Sequence, residues 1–201
     1  MKAVELFAGC GGLALGVSHA GFEHVALIER DHEACETIRE NQRRGHPVAK
    51  TWPLFEADVL DFDYSRGWGE IDLLTGGVPC QPFSVAGKGR AHLDKRDMFS
   101  EVVRAVRELR PRAVLIENVR GLVRPTFRGY FDYLLLALAS PSFVRNPDES
   151  WRDHYECLRK HAEVGDGLRY DVHVHTVNAA DFGVPQWRER VFIVAFRSEL
   201  G

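Results

Sequence analysis

Cys80 stands between two prolines in the run Gly76-Gly77-Val78-Pro79-Cys80-Gln81-Pro82-Phe83-Ser84. Proline fixes its own backbone, so the thiol is carried on a stiff loop. A free thiol is only a few per cent ionised near neutral pH, yet it is strongly nucleophilic. A lone cysteine is more often a small buried apolar residue; here the polar loop favours a nucleophile. The other three cysteines are weaker candidates. Cys10 lies inside a glycine-rich turn, and Cys35 and Cys157 fall in helical stretches where structural roles are expected. No two form a Cys-x-x-Cys pair, which argues against a disulfide framework or a cysteine zinc site and suits a reducing cytoplasm.

Three further clusters carry possible chemistry. Glu117-Asn118-Val119 directly follows the apolar run Ala113 to Ile116, so Glu117 is expected at the same sheet edge as Cys80. A carboxyl group there could act as an acid or as a hydrogen-bond anchor for a heterocycle. Gln186-Trp187-Arg188-Glu189-Arg190 enters the last apolar run, and strand alternation puts Arg188 and Arg190 on one face. Phe7-Ala8-Gly9-Cys10-Gly11-Gly12-Leu13-Ala14 fits the G-x-G-x-x-G/A fingerprint of a nucleotide-binding turn between a strand and a helix. Glycines let the backbone approach a ligand, and the helix N-terminus offers free N–H groups. Glu29 ends the next strand and could accept hydrogen bonds from ribose hydroxyls. NAD and S-adenosylmethionine enzymes both use such a turn.

These residues need a scaffold. Strand-like segments are expected at 3–7, 25–28, 54–55, 71–74, 113–116, 172–177 and 191–196. Helices are expected from the glycine turn to Ala20, from the Asp31 cap to Arg43, and over 98–109, 131–139 and 148–163. The alternation implies an α/β fold: a doubly wound, Rossmann-like sheet with helices on both faces. The whole chain, 1–201, reads as one catalytic domain with a polar helical insertion at about 141–169. Net charge is −3, so composition shows no basic stripe of the kind a DNA-binding surface usually carries. No apolar run approaches the ~18 residues of a membrane span, and the N-terminus has no signal-peptide pattern.

Taken in order, Phe7-x-Gly9-x-Gly11-Gly12, Glu29, Asp58, Pro79-Cys80-Gln81, Glu117-Asn118-Val119 and Gln186-x-Arg188-x-Arg190 resemble the motif series of the DNA cytosine-5 methyltransferases. Asn178 to Arg197 is similar to the family as well, and the likeness runs from residue 3 to about 197. The resemblance implies an S-adenosylmethionine-dependent methyltransferase acting on double-stranded DNA, in a bacterial restriction–modification setting. It implies that Phe7 stacks on the cofactor adenine while Ala8, Gly9, Cys10, Gly11, Gly12 and Leu13 hold the methionine part. Glu29 takes the ribose hydroxyls, and Asp58 and Val59 contact the adenine; Arg30 and Pro79 belong to the same cofactor set. Cys80 attacks carbon 6 of a flipped cytosine, Glu117 holds the ring nitrogen and exocyclic amine, Arg188 binds the base oxygen, and Arg190 helps position Glu117.

The family usually has Asp where Glu5 stands and often an aromatic where Arg30 stands. His154, Cys157 and His161 sit at helical spacing, but no fourth ligand is evident, and a solvated helix is expected rather than a metal site. The family continues beyond the last matched strand with a target-recognition domain and a helix that closes the catalytic domain. The expectation is therefore a catalytic portion completed by a second polypeptide, with an inactive fragment or a cofactor-binding subunit as alternatives. A transfer RNA cytosine-5 methyltransferase is the alternative of a different substrate class.

Overall fold

The structure, a computed structural model, describes residues 1–79, 98–164 and 167–200. A seven-stranded sheet is built from β1 (Lys2–Leu6), β2 (Glu23–Glu29), β3 (Leu54–Glu56), β4 (Leu73–Gly77), β5 (Ala113–Val119), β6 (Tyr170–Asn178) and β7 (Glu189–Arg197), in the order β3-β2-β1-β4-β5-β7-β6. β1 to β5 run parallel; β7 is antiparallel to both of its neighbours. The helices are α1 (Gly12–His19), α2 (His32–Arg43), α3 (Phe99–Leu109), α4 (Arg128–Ala139) and α5 (Trp151–Val164). From β1 the chain first moves outward to β2 and β3, then returns to place β4 on the other flank of β1. The crevice between the carboxyl ends of β1 and β4 is therefore a topological switch point, where ligands bind in such sheets.

Local signals set several element ends. The Asp31 carboxylate accepts from Ala34 N–H at 2.9 Å and caps α2. α3 buries Phe99, Val102, Ala105 and Val106, a helical stripe. It stops at Arg110, which takes a left-handed conformation (φ 48°) immediately before Pro111. One sheet face carries the main core, in which Val4, Leu6, Leu74, Val114, Ile116, Val191 and Ile193 pack with side chains of α3, α4 and α5. The other face holds smaller clusters, Leu27 with Ile38 and Trp52, and Ala3 with Val17 and Leu73. Along β7, Val191, Ile193 and Ala195 are fully buried, whereas Phe196, on the opposite face, is 53% exposed.

The structure corrects three expectations. β4 runs over Leu73–Gly77 rather than 71–74, because Gly76 pairs with both Leu6 and Ile116. A Cβ at Gly76 would lie 2.8 Å from the Leu6 carbonyl oxygen, so glycine is required inside the strand. Likewise Glu117-Asn118-Val119 lies within β5 rather than after it, because β7 pairs with β5 through Val119. Finally, α5 is not solvated all round. His154 is buried, shares a hydrogen bond with the Tyr133 hydroxyl (3.1 Å) and stacks on Phe143, whereas Cys157, expected to be structural, is exposed.

Candidate active site

The glycine turn leaves β1 at Phe7, which has a positive φ of 54° despite its side chain. Gly9 (φ 52°) donates its N–H to Glu29 Oε2 at 2.7 Å. Glu29 Oε1 accepts from the N–H groups of Arg30 and Asp31, both at 2.8 Å. Three backbone donors thus fix the carboxylate at the end of β2 and leave part of its acceptor capacity for a ligand. Gly11 (φ 86°) packs so tightly that a Cβ would stand 2.6 Å from the Trp52 ring. Trp52 is itself held by its indole N–H, which donates to Ser18 Oγ at 3.1 Å. Gly12 opens α1 and faces open space.

Beside the turn lies a cavity of about 280 Å³. Of the residues expected to bind a cofactor, Phe7, Glu29, Arg30, Asp58, Val59 and Pro79 line it. Ile28, Ala57, Leu60, Gly77 and Met98 complete the lining; none of them was a candidate cofactor residue from the sequence. Apolar side chains form its walls and two carboxylates edge it, which suits a nucleoside with hydroxyl groups. Asp58 Oδ1 accepts from Leu60 N–H at 3.0 Å, and Oδ2 meets Arg30 Nη1 at 3.0 Å. The Leu60 N–H and the Arg30 guanidinium hold the Asp58 carboxyl below its ordinary value. Ala8 and Gly11 shape the turn by backbone bonds, Ala8 N–H to Ile28 O and Gly11 N–H to Ala8 O. The Cys10 thiol is exposed. The Leu13 side chain packs against the cluster of Ala3, Val17 and Leu73.

On the other side of β4, Glu117 sits in register with Gly77 and with Phe192. Its Oε1 lies 2.7 Å from Arg190 Nε, and both side chains are about three-quarters buried, at 25% and 21% exposure. Arg190 is further oriented by donating from Nη1 to the Glu189 carbonyl at 2.8 Å. Arg188 precedes β7 and its side chain is exposed. Its backbone N–H donates to Asn178 Oδ1 at 3.0 Å, an oxygen that also accepts from Ala180 N–H. Asn178 therefore closes the loop that presents Arg188. Asn118 is buried, and its amide donates to Val78 O at 3.4 Å, tying β5 to the segment that leads into Pro79. The sequence flagged Asn118 only as part of a motif, and Asn178 only as the start of a family-like segment; neither position carries a local signal of its tertiary partner. Cys80 lies outside the described residues. Among the described residues, no group of His, Cys, Asp and Glu side chains could hold a metal ion. No helix among them is long and apolar enough to cross a membrane.

The family model for the C-5 cytosine-specific DNA methylase matches residues 1–143 and 150–201. The chain is 39% identical over 196 residues to the Type II methyltransferase M.NgoMIV of Neisseria gonorrhoeae, covering 98% of this chain and 52% of that protein. It is 34% identical to M.AquIA of Picosynechococcus, also a Type II methyltransferase, covering 98% of this chain and 72% of the other. A crystal structure described as a DNA modification methyltransferase encoded within an E. coli prophage superposes with a TM-score of 0.67 at 26% identity. That match covers all of this chain and 47% of the other. Thus the chain spans about half the length of most of the curated relatives it matches.

Proposed function

Since the chain belongs to the C-5 cytosine-specific DNA methylase family, we propose that it is the catalytic portion of a DNA cytosine-5 methyltransferase of a restriction–modification system. S-adenosylmethionine would occupy the cavity at the switch point, and supplies an electrophilic methyl group when bound. Phe7 and Val59 would flank the adenine, Asp58 would contact it, and Glu29 would receive the ribose hydroxyls. The N–H groups of the turn from Ala8 to Leu13 would face the methionine part; Leu13 contributes backbone only, since its side chain is packed away. Arg30 would brace Asp58, and Pro79 would close the cavity from β4.

Carbon 5 of cytosine is a poor nucleophile until something adds at carbon 6. Cys80 would add there as the thiolate, and the new electron density would reach carbon 5, which takes the methyl group. Removal of the carbon 5 proton and expulsion of the thiolate then restore the aromatic ring. Glu117 would hold the ring nitrogen and exocyclic amine, and Arg188 the base oxygen. The target atom is inaccessible inside a duplex, so the base must leave the stack at a cost of a few kcal/mol. The observation that carries this reading is Glu117, aligned with Gly77 beside the cavity and held by Arg190. The reading includes double-stranded DNA as substrate, a cytoplasmic setting, and target recognition supplied by further polypeptide, in the same chain or a second one.

The test is tritium transfer from labelled S-adenosylmethionine. The chain, with and without the polypeptide that adjoins it in its source, is given mixed-sequence duplex DNA or transfer RNA, and products are digested to nucleosides. Labelled 5-methylcytosine from DNA is the expected product. Label in RNA alone, or preference for NAD over S-adenosylmethionine in equilibrium binding, would overturn the reading.

A further inference from the structure

We propose that Arg104 is a positioning residue for the cofactor, fixing the adenine-side wall of the cavity from behind. The inference rests on reading that cavity as the S-adenosylmethionine site. The wall is the turn Asp58-Val59-Leu60, which leads into a 3₁₀ turn over Val59–Asp61. So short a turn has poor internal bonding; within it the Val59 carbonyl accepts only a 3.3 Å bond from Phe62 N–H. The Arg104 guanidinium, on α3, supplies what is missing. Nη2 donates to the Val59 carbonyl at 2.5 Å, and Nη1 donates to the Phe62 carbonyl at 3.3 Å. Nε reaches Glu101 Oε2 at 2.7 Å, and Nη1 also meets Glu108 Oε1 at 3.3 Å. The cation lies 4.9 Å from the centre of the buried Tyr64 ring. The two carboxylates of its own helix thus orient the guanidinium, and Nη1 and Nη2 join that helix to the turn.

The same wall is braced from the solvent side by Arg30 and Asp58, but Arg30 is 66% exposed and that pair is screened by water. Arg104 is 21% exposed, so the inner brace is the firmer one. Met98, immediately before α3, lines the same cavity. The N-terminal cap of α3 therefore contributes a wall residue, and α3 itself the clamp that sets the facing turn. A lysine could not reproduce the arrangement, because an ammonium lacks the planar fork that reaches two carbonyls and a carboxylate together.

The experiment measures binding of S-adenosylhomocysteine and of 5′-methylthioadenosine by calorimetry in the wild-type chain, Arg104→Met and Arg104→Lys. Both ligands carry the adenosine that meets this wall. Kd should rise about tenfold for both ligands in Arg104→Met and about threefold in Arg104→Lys, with binding stoichiometry unchanged. A merely structural role would lower the melting temperature and the competent fraction while leaving Kd alone, and that result would overturn the proposal. If Arg104→Met does not fold, a wild-type Kd in Arg104→Lys overturns it equally. Should the wild-type chain bind neither ligand, the cofactor reading itself falls and takes this inference with it, an outcome distinct from a wild type that binds and variants that bind equally well.

Discussion

Arg190 reaches from β7 to the neighbouring strand β5 and sets its Nε 2.7 Å from Glu117 Oε1. The contact depends on register: Val119 stands opposite Arg190, and Glu117 opposite Phe192. Removing the cation leaves a largely buried carboxylate without its counter-charge, which is costly and frees the side chain to turn. In an assembly that methylates DNA, Arg190→Met should lower the transfer rate by roughly 10²-fold, the range of a positioned acid or electrostatic group. Cofactor affinity should stay unchanged, since Arg190 does not line the cavity. Single-turnover transfer with saturating cofactor checks this, and an unaltered rate would show that Glu117 is held by other means.

Gly11 and Gly12 adjoin in sequence but differ in what surrounds them. A Cβ on Gly11 meets the Trp52 ring at 2.6 Å, and its φ of 86° is strained for any L side chain. Gly11→Ala should therefore cost roughly 2–4 kcal/mol of folding stability, the sum of left-handed strain and overpacking. A Cβ on Gly12 meets nothing within 4 Å, at the first position of α1. Gly12→Ala should leave stability unchanged or raise it by up to about 1 kcal/mol. If the turn holds the cofactor, the same substitution should weaken S-adenosylhomocysteine binding. Urea unfolding paired with calorimetry on both variants separates the two effects; stable protein with undiminished affinity in Gly12→Ala would remove Gly12 from the site.

What the sequence made legible was local. The β1–turn–α1 unit, the Asp31 cap and the end of α3 before Pro111 each rest on residues within a few positions of one another. Glu29, at the end of β2, was also legible, because the nucleotide fingerprint fixes its distance from the turn. The ends of β4 and β5 were not. Gly76 reads as a loop residue until β1 is placed beside it, and Glu117 reads as a loop residue until β7 pairs with β5. The same holds for Arg104: nothing in an amphipathic helix says that one of its arginines bonds carbonyls more than forty residues earlier. His154 looked like part of a polar face because its partners Tyr133 and Phe143 lie on other segments.

Glu5 gives a stability signature with a defined sign. Its carboxyl is 1% exposed, and burial raises its pKa above the ordinary 4.5, with His24, 3.4 Å away, opposing that rise. A raised folded-state pKa means that the folded protein holds this proton more tightly than the unfolded chain. The contribution is full below the unfolded value and is lost as pH rises through the folded one. Glu5→Gln cannot ionise and should lack that part of the pH dependence. Urea unfolding at about pH 5 and about pH 8 should show wild type losing ground to the variant at the higher pH. A difference that is flat, or that grows in favour of wild type, would show that the Glu5–His24 interaction outweighs burial.

Thiol chemistry separates the described cysteines. Cys35 is buried, and burial with the nearby Glu56 and Glu29 carboxylates pushes its thiol up to about 11. Cys10 and Cys157 are exposed. Iodoacetamide at neutral pH should modify Cys10 and Cys157 and spare Cys35, because the thiolate is the reactive form. S-adenosylhomocysteine should slow modification of Cys10, which lies in the turn, without affecting Cys157. Peptide mass spectrometry reads both effects; equal protection of the two would place the ligand away from the turn.

Cys80 is the residue on which the proposed chemistry turns, and its role can be trapped. Once carbon 5 carries the methyl group, the thiolate can leave carbon 6 only as the other substituent on carbon 5 departs as a cation, which a proton does readily. Fluorine cannot leave in that way, so a duplex carrying 5-fluorocytosine at the target should stop the reaction after methyl transfer, with Cys80 still bonded to the base. Cys80→Ser replaces the thiol with a hydroxyl, a much weaker nucleophile near neutral pH. It should form no adduct and transfer no methyl group, while binding S-adenosylmethionine as wild type does. Glu117→Gln keeps the shape of the side chain but lacks the carboxylate held by Arg190. It should slow adduct formation by roughly 10²-fold or more rather than abolish it, because Glu117 assists the addition and Cys80 performs it. Denaturing electrophoresis of labelled duplex followed by peptide mapping locates the bond. An adduct on Cys10 or Cys157, or one that survives in Cys80→Ser, would show that the nucleophile lies elsewhere.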